Sequence, residues 1–219
     1  DRYIATSRYL ADVMIRGGFP EPKIAIKPNF VPDGVKRGEP VSPPSRFDAL
    51  FVGRLAPEKG LDLLLDAWSR MSGSMRLAVV GEGILPRACP DNVEFLGKRA
   101  PAEVYSLMGH AGVVVMPGKW PEPFGRVAVE AFAQGTPVVC SDIGGLSSIV
   151  QHGRNGLIYT PGDSNALAAA LTTILGDKHL RDQLGAGARA DYEAYYTPEA
   201  NLAQLERIYA EAMEIARTG

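Results

Sequence analysis

Cysteine is scarce in this chain of 219 residues, with two in all, which excludes a disulfide scaffold. Cys89 and Cys140 belong to no CxxC pair and lie near no histidine, so buried thiols in a reducing cytosol are expected rather than a bridge. Histidine is also rare. His110, His152 and His179 are scattered without ligand spacing, and no metal site is expected. Long apolar runs are missing: residues 111–117 and 137–140 fall far short of the ~20 needed to cross a bilayer. There is no basic start followed by an apolar stretch, so no secretory signal is expected. A large charge of either sign is absent too. The net charge of −2 gives no general attraction for nucleic acid or anionic lipid, so any phosphate must be held by a few placed cations. What remains, 46% hydrophobic and 22% charged residues, is ordinary globular composition with ample length for a core.

Short apolar runs punctuate residues 47–175: 49–52, 77–80, 93–96, 112–116, 137–140 and 157–159. Most are continuously apolar, as expected of parallel strands covered on both faces. Helical patterns lie between them, for example Leu61, Leu64, Leu65 and Trp68, then Val127, Val129, Ala131 and Phe132. Alternating strand and helix predicts a Rossmann-like, doubly wound α/β domain with right-handed crossovers. Towards the start, residues 3–6 read as a short strand, with Ser7 capping a helix to Arg16 that Gly17 and Gly18 stop. Residues 23–27 read as extended, and the proline-rich stretch 28–45 reads as a linker. After Gly176 the pattern is helical through Ala216, with breaks expected near residues 185–187 and at Pro198.

In such a sheet, ligands bind beyond the carboxyl ends of the strands, so the loops after them carry the functional signal. The loop at residues 53–60 opens on Gly53 and sets Arg54 and Lys59 beside a helix start, whose dipole already favours an anion. It reads as a diphosphate clamp or, alternatively, as a surface loop with two solvated cations. The loop beginning at Gly81 has the first two glycines of GxGxxG, but Pro86 occupies the last position. The following strand ends in Gly97, Lys98 and Arg99 rather than in an acid for a ribose, so an NAD site loses two supports. The loop after residue 116 is the most informative. Glu122 precedes a helix starting near Phe124 or Gly125, whose first N–H groups, through Arg126 and Val127, suit a phosphate. Glu130 lies within that helix, among apolar residues that make a purely solvated role uncomfortable.

Together these residues resemble the retaining glycosyltransferases with two Rossmann-like domains (the GT-B fold, family 4). Glu122 and Glu130 match the E-x7-E motif; G-R-L-x-x-E-K-G occupies residues 53–60, E-P-F-G residues 122–125 and E-A-x-A-x-G-T-P-V-V residues 130–139. G-G-L follows at 144–146 and G-x-x-G-L at 153–157, so the likeness runs through residues 1–175 in order. One departure is Ser148, where many relatives carry a glutamate. The resemblance implies that Arg54 and Lys59 neutralise the diphosphate of a UDP-, GDP- or ADP-sugar and stabilise the leaving group. It implies that Glu122 holds the donor sugar and Glu130 the ribose, with main-chain groups near Phe124 and Gly125 on sugar and phosphate. Groups near Lys98 and Arg99 would then meet the base. Catalytic roles would fall to Arg54, Lys59 and Glu122, with no metal and no cofactor.

The resemblance further implies that residues 1–45 are the tail of an acceptor-binding domain plus linker, residues 46–196 the donor domain, and residues 197–219 a helix bracing the other half. The acceptor, a sugar, lipid or polysaccharide, would be held by that other half, without which transfer would be poor or absent. No nucleic acid partner is expected. A cytoplasmic location is, with peripheral membrane association compatible in an intact enzyme. The alternative is a non-catalytic module that only holds a nucleotide sugar; a nucleotide-sugar epimerase lacks the E-P-F-G and E-x7-E spacing.

Overall fold

The computed structural model describes residues 2–32, 47–71, 74–84 and 89–218, so most of the expected linker at 28–45, and Pro86, lie outside the described residues. The strands are β1 (Tyr3–Ala5), β2 (Ile24–Ile26), β3 (Ala49–Val52), β4 (Leu77–Val80), β5 (Val93–Gly97), β6 (Val113–Met116), β7 (Val138–Ser141) and β8 (Gly156–Tyr159). The helices are α1 (Arg8–Arg16), α2 (Leu61–Ser69), α3 (Pro101–His110), α4 (Arg126–Ala133), α5 (Leu146–Ile149), α6 (Ser164–Gly176), α7 (Lys178–Tyr195) and α8 (Pro198–Thr218). Six strands form one parallel sheet in the order β5-β4-β3-β6-β7-β8, and β1 pairs with β2, also in parallel, in a separate small sheet.

Strand pleating sends successive side chains to opposite faces, and both faces of the large sheet are covered. Leu50, Val114, Val138 and Cys140 pack on one side against Ala128, Phe132, Ile149 and Tyr192 of α4, α5 and α7. Phe51, Val79, Val115 and Val139 pack on the other against Leu64 and Trp68 of α2 and Leu167, Leu171 and Ile174 of α6. This double cover explains why the strands read as unbroken apolar runs. Truncating a fully buried core residue such as Leu64 to alanine should cost about 2–5 kcal/mol.

The opening segment folds as expected. Ser7 caps α1 by accepting from the Leu10 N–H at 3.1 Å, and Gly17 and Gly18 end it. It is fastened to the main body: the Asn201 amide donates to the Pro28 carbonyl at 2.6 Å, and Arg2 pairs with Glu211 of α8 at 2.6 Å.

Two expectations need correction. Helix α7 runs unbroken through Gly185 and Gly187. These glycines permit close packing rather than a break: a Cβ on Gly185 would lie 2.6 Å from the Gly135 carbonyl, and one on Gly187 2.0 Å from that of Arg154. The chain turns instead at Asp177, whose carboxylate accepts from the Leu180 N–H and starts α7. The thiols also divide. Cys140 is buried in β7, whereas Cys89 is exposed, because it precedes β5 and takes no part in the sheet.

Candidate functional site

The strand order reverses between β3 and β6: the chain winds outward through β4 and β5, then returns to β6 on the other side of β3. Loops leaving such a neighbouring pair diverge to opposite faces and open a crevice, the usual ligand position in an open parallel sheet. The loops in question are residues 53–60 after β3 and 117–125 after β6, the two that carry Arg54, Lys59 and Glu122.

These loops are joined backbone to backbone. The Lys119 N–H donates to the Glu58 carbonyl at 2.8 Å. Gly60 is left-handed (φ 71°), and a Cβ there would sit 2.0 Å from the Pro117 carbonyl oxygen, so only glycine allows this approach. From below, the Gly145 N–H donates to the Glu122 carbonyl at 2.6 Å, and the Ser141 hydroxyl to that of Gly118 at 2.8 Å. From the small sheet, the Ser7 hydroxyl donates to the Pro123 carbonyl at 2.5 Å. The loop at 117–125 is thereby held along its length, with its E-P-F-G end fixed at the Glu122 and Pro123 carbonyls.

Between the loops lies a hollow of about 730 Å³. Of the residues expected at a donor site, Arg54, Lys59, Glu122, Phe124, Gly125 and Arg126 line it. The sequence reading missed Thr6, Asn29, Glu58, Trp120 and Pro123, which line it too. Both Thr6 and Asn29 had a signal, since they follow β1 and β2 and loops beyond strand ends were the place to look. Gly53, Gly81, Lys98, Arg99, Val127 and Glu130 are not among the lining residues. Gly81 packs instead against the Gly53 carbonyl, Lys98 pairs with Glu82 at 3.7 Å, and Arg99 reaches Glu103 at 4.0 Å.

Every cation of the hollow has a carboxylate partner. Arg54, with its side chain 74% exposed, pairs with Glu58 at 2.9 Å. Lys59 donates to Glu122 across the hollow, and both side chains are about a quarter exposed. Arg126 Nε donates to Glu130 at 2.9 Å, which ties the partly buried carboxylate of α4 to the hollow. Burial pushes the Glu130 carboxyl above its ordinary range, while the hydrogen bond and charge of Arg126 pull it back. Tyr105 on α3 is raised likewise, first by burial and then by the Glu130 charge. No side chain caps α4 at Gly125, so the first N–H groups of that helix remain available at the hollow. Among the described residues, no group of histidine, cysteine and carboxylate side chains could hold a metal ion, and no helix is long and apolar enough to cross a membrane.

Arg54, Lys59 and an uncapped helix start thus line one hollow at a switch point, a combination with the chemistry to suit an anion. The family model for glycosyl transferases group 1 matches residues 35–191. The chain belongs to that family. It is similar to a D-inositol 3-phosphate glycosyltransferase from Corynebacterium glutamicum (33% identical over 181 residues, 74% of this chain and 43% of that protein). A glycogen synthase from Mycobacterium tuberculosis is 35% identical over 154 residues, 65% of this chain and 37% of its own. This glycosyl transferase group 1 chain thus spans less than half the length of the curated relatives it matches. Among solved structures, Anabaena Alr3699/HepE in complex with UDP-glucose superposes with a TM-score of 0.82 at 25% identity, covering 97% of this chain and 63% of that one. Sucrose-phosphate synthase from Thermosynechococcus elongatus gives 0.77 at 28% identity, with coverage of 97% and 58%. The fold is therefore the parallel α/β arrangement of GT-B glycosyltransferases.

Proposed function

We propose that the chain is the donor half of a retaining, family 4 glycosyltransferase and binds a nucleoside-diphosphate sugar. One observation carries the reading: Arg54, Lys59, Glu122 and the open start of α4 border a single hollow. In glycosyl transfer the nucleoside diphosphate departs with growing negative charge while the anomeric carbon becomes positive. Arg54, Lys59 and the α4 N–H groups stabilise the leaving diphosphate, and one well-placed donor of this kind is worth about 3–4 kcal/mol. Glu122 positions the sugar through its hydroxyls, and Glu130, oriented by Arg126, accepts from the ribose hydroxyls. Arg54 must leave Glu58, and Lys59 must leave Glu122, before either meets phosphate. No metal and no cofactor enters this scheme.

The UDP and UDP-glucose complexes of Alr3699/HepE support a UDP-sugar as donor. In this reading residues 46–196 form the donor domain, Gly53, Gly81 and Val127 shape its loops, and the main chain near Lys98 and Arg99 meets the base. Residues 1–45 and 197–219 belong with an acceptor domain, so this chain alone transfers sugar poorly. A cytoplasmic location belongs to the same reading.

A thermal-shift panel of UDP, GDP, ADP and their sugar conjugates tests it. A ligand at about 100 times its Kd stabilises by ~2.7 kcal/mol, which is roughly 5–10 °C for a chain of this size. Of the two tryptophans, Trp68 is buried in the core and Trp120 is 62% exposed on the hollow. Acrylamide quenching should therefore fall when the same ligand fills the site. No shift with any nucleotide would overturn the proposal.

A further inference from the structure

We propose that Thr6 and Asn29 form an uncharged wall of the hollow that binds hydroxyl groups of the donor's sugar; this rests on reading the hollow as a nucleotide-sugar site. Both residues lie in segments that follow strands of the small sheet rather than of the six-stranded one. β1 and β2 run parallel with Ala5 opposite Ile26, and the Lys27 N–H donates to the Ala5 carbonyl at 2.8 Å. Residue 6 and residues 27–29 therefore leave the same, carboxyl, end of that sheet, and Thr6 and Asn29 both line the hollow.

Each is held in place by its neighbours. Thr6 lies between Ala5 and Ser7, both buried, and Ser7 donates to the Pro123 carbonyl in the segment that carries Glu122. Asn29 is exposed, yet its flanking backbone is pinned: Asn201 donates to the Pro28 carbonyl, while the Val31 N–H donates to the Tyr196 carbonyl and the Val31 carbonyl accepts from the Tyr192 hydroxyl at 3.0 Å. An anchored backbone leaves only the side-chain rotamer to be fixed on binding, which lowers the entropy cost.

The chemistry separates the two walls. Arg54, Glu58 and Lys59 offer full charges, suited to a diphosphate. A hydroxyl and a carboxamide each offer donor and acceptor without charge, which suits neutral hydroxyls and adds little to phosphate. Thr6 stands next to the Glu122 segment through the Ser7–Pro123 bond, which puts this wall at the sugar end.

Isothermal titration of the full chain with UDP and UDP-glucose tests the proposal, with GDP and GDP-mannose and ADP and ADP-glucose run in parallel. The variants are Thr6→Val, Asn29→Ala and the double substitution, with Asn29→Ser as the conservative control and thermal midpoints to confirm folding. The expected result is a sugar nucleotide weakened about tenfold in the double variant, two neutral hydrogen bonds' worth, with the matching nucleoside diphosphate changed less than about twofold. Equal weakening of both ligands, or no change in either, would overturn the sugar assignment and leave the donor site standing. If no pair binds the unaltered chain, the donor-site reading itself fails, and this one with it.

Discussion

Lys59 and Glu122 come from loops 63 residues apart and meet across the hollow, so substituting either should act on ligand binding with opposite sign. The gross attraction of Lys59 for a carboxylate or for a phosphate is similar, about 4 kcal/mol at ~4 Å with an effective dielectric near 20. The two nearly cancel when a diphosphate replaces the carboxylate, so the free energy of disengaging Lys59 is set by the net value of the pair. With both side chains about a quarter exposed, that net value is about 1 kcal/mol, the upper end for accessible pairs. Glu122→Gln frees Lys59 and removes a negative charge beside the phosphates, so UDP should bind about fivefold tighter. Lys59→Met removes a charged hydrogen-bond donor worth about 1.5–3 kcal/mol, so UDP should bind roughly 10- to 100-fold more weakly. Isothermal titration at low and high salt reads both, and both effects should shrink as salt rises. A pair with only a structural role would weaken binding from either side. Weaker UDP binding by Glu122→Gln, or unchanged binding by Lys59→Met, would refute the reasoning.

Other expectations follow from the same contacts. A Cβ on Gly145 would lie 2.5 Å from the Pro123 carbonyl oxygen, so Gly145→Ala should destabilise by about 1–3 kcal/mol and displace the Glu122 segment. Calorimetry and UDP titration would show both losses, and an unchanged melting point would contradict the packing described. Burial holds the folded-state pKa of Glu130 above its ordinary 4.5, so the folded chain binds that proton more tightly than the unfolded one. Its contribution to stability is therefore fullest in acid and declines as pH rises through the folded value. Glu130→Gln should flatten that slope in urea melts as pH rises above the ordinary 4.5, and identical slopes would count against it. Burial, helped by the Asp142 charge, pushes the Cys140 thiol up to about 12, while Cys89 is exposed. One thiol should react with a disulfide reagent in the native chain and two in denaturant; two reacting at once would contradict the burial of β7.

The sheet was legible because its signal is local. A strand buried on both faces must be apolar at every position, and residues 49–52 and 77–80 agree with β3 and β4. The caps at Ser7 and the turn at Gly17 and Gly18 are equally local, since each depends on residues within one helical turn. Glycine misled where its reason lay far off. Gly185 and Gly187 look like breakers in sequence, but they make room for the carbonyls of Gly135 and Arg154, some fifty and thirty residues away.

By itself the sequence determined the alternation of strand and helix, the parallel sheet this requires, and the loops where anion-binding residues would collect. Its motifs also placed Arg54, Lys59 and Glu122 among the candidates. Tertiary structure alone decided that these face one hollow, that each cation already holds a carboxylate, and that Thr6 and Asn29 join them from segments that follow another sheet's strands. The division has a physical cause. Backbone preference and burial pattern act over a few neighbouring residues, whereas the Lys59–Glu122 and Ser7–Pro123 contacts close loops of 63 and 116 residues and exist only once the sheet has set its strand order.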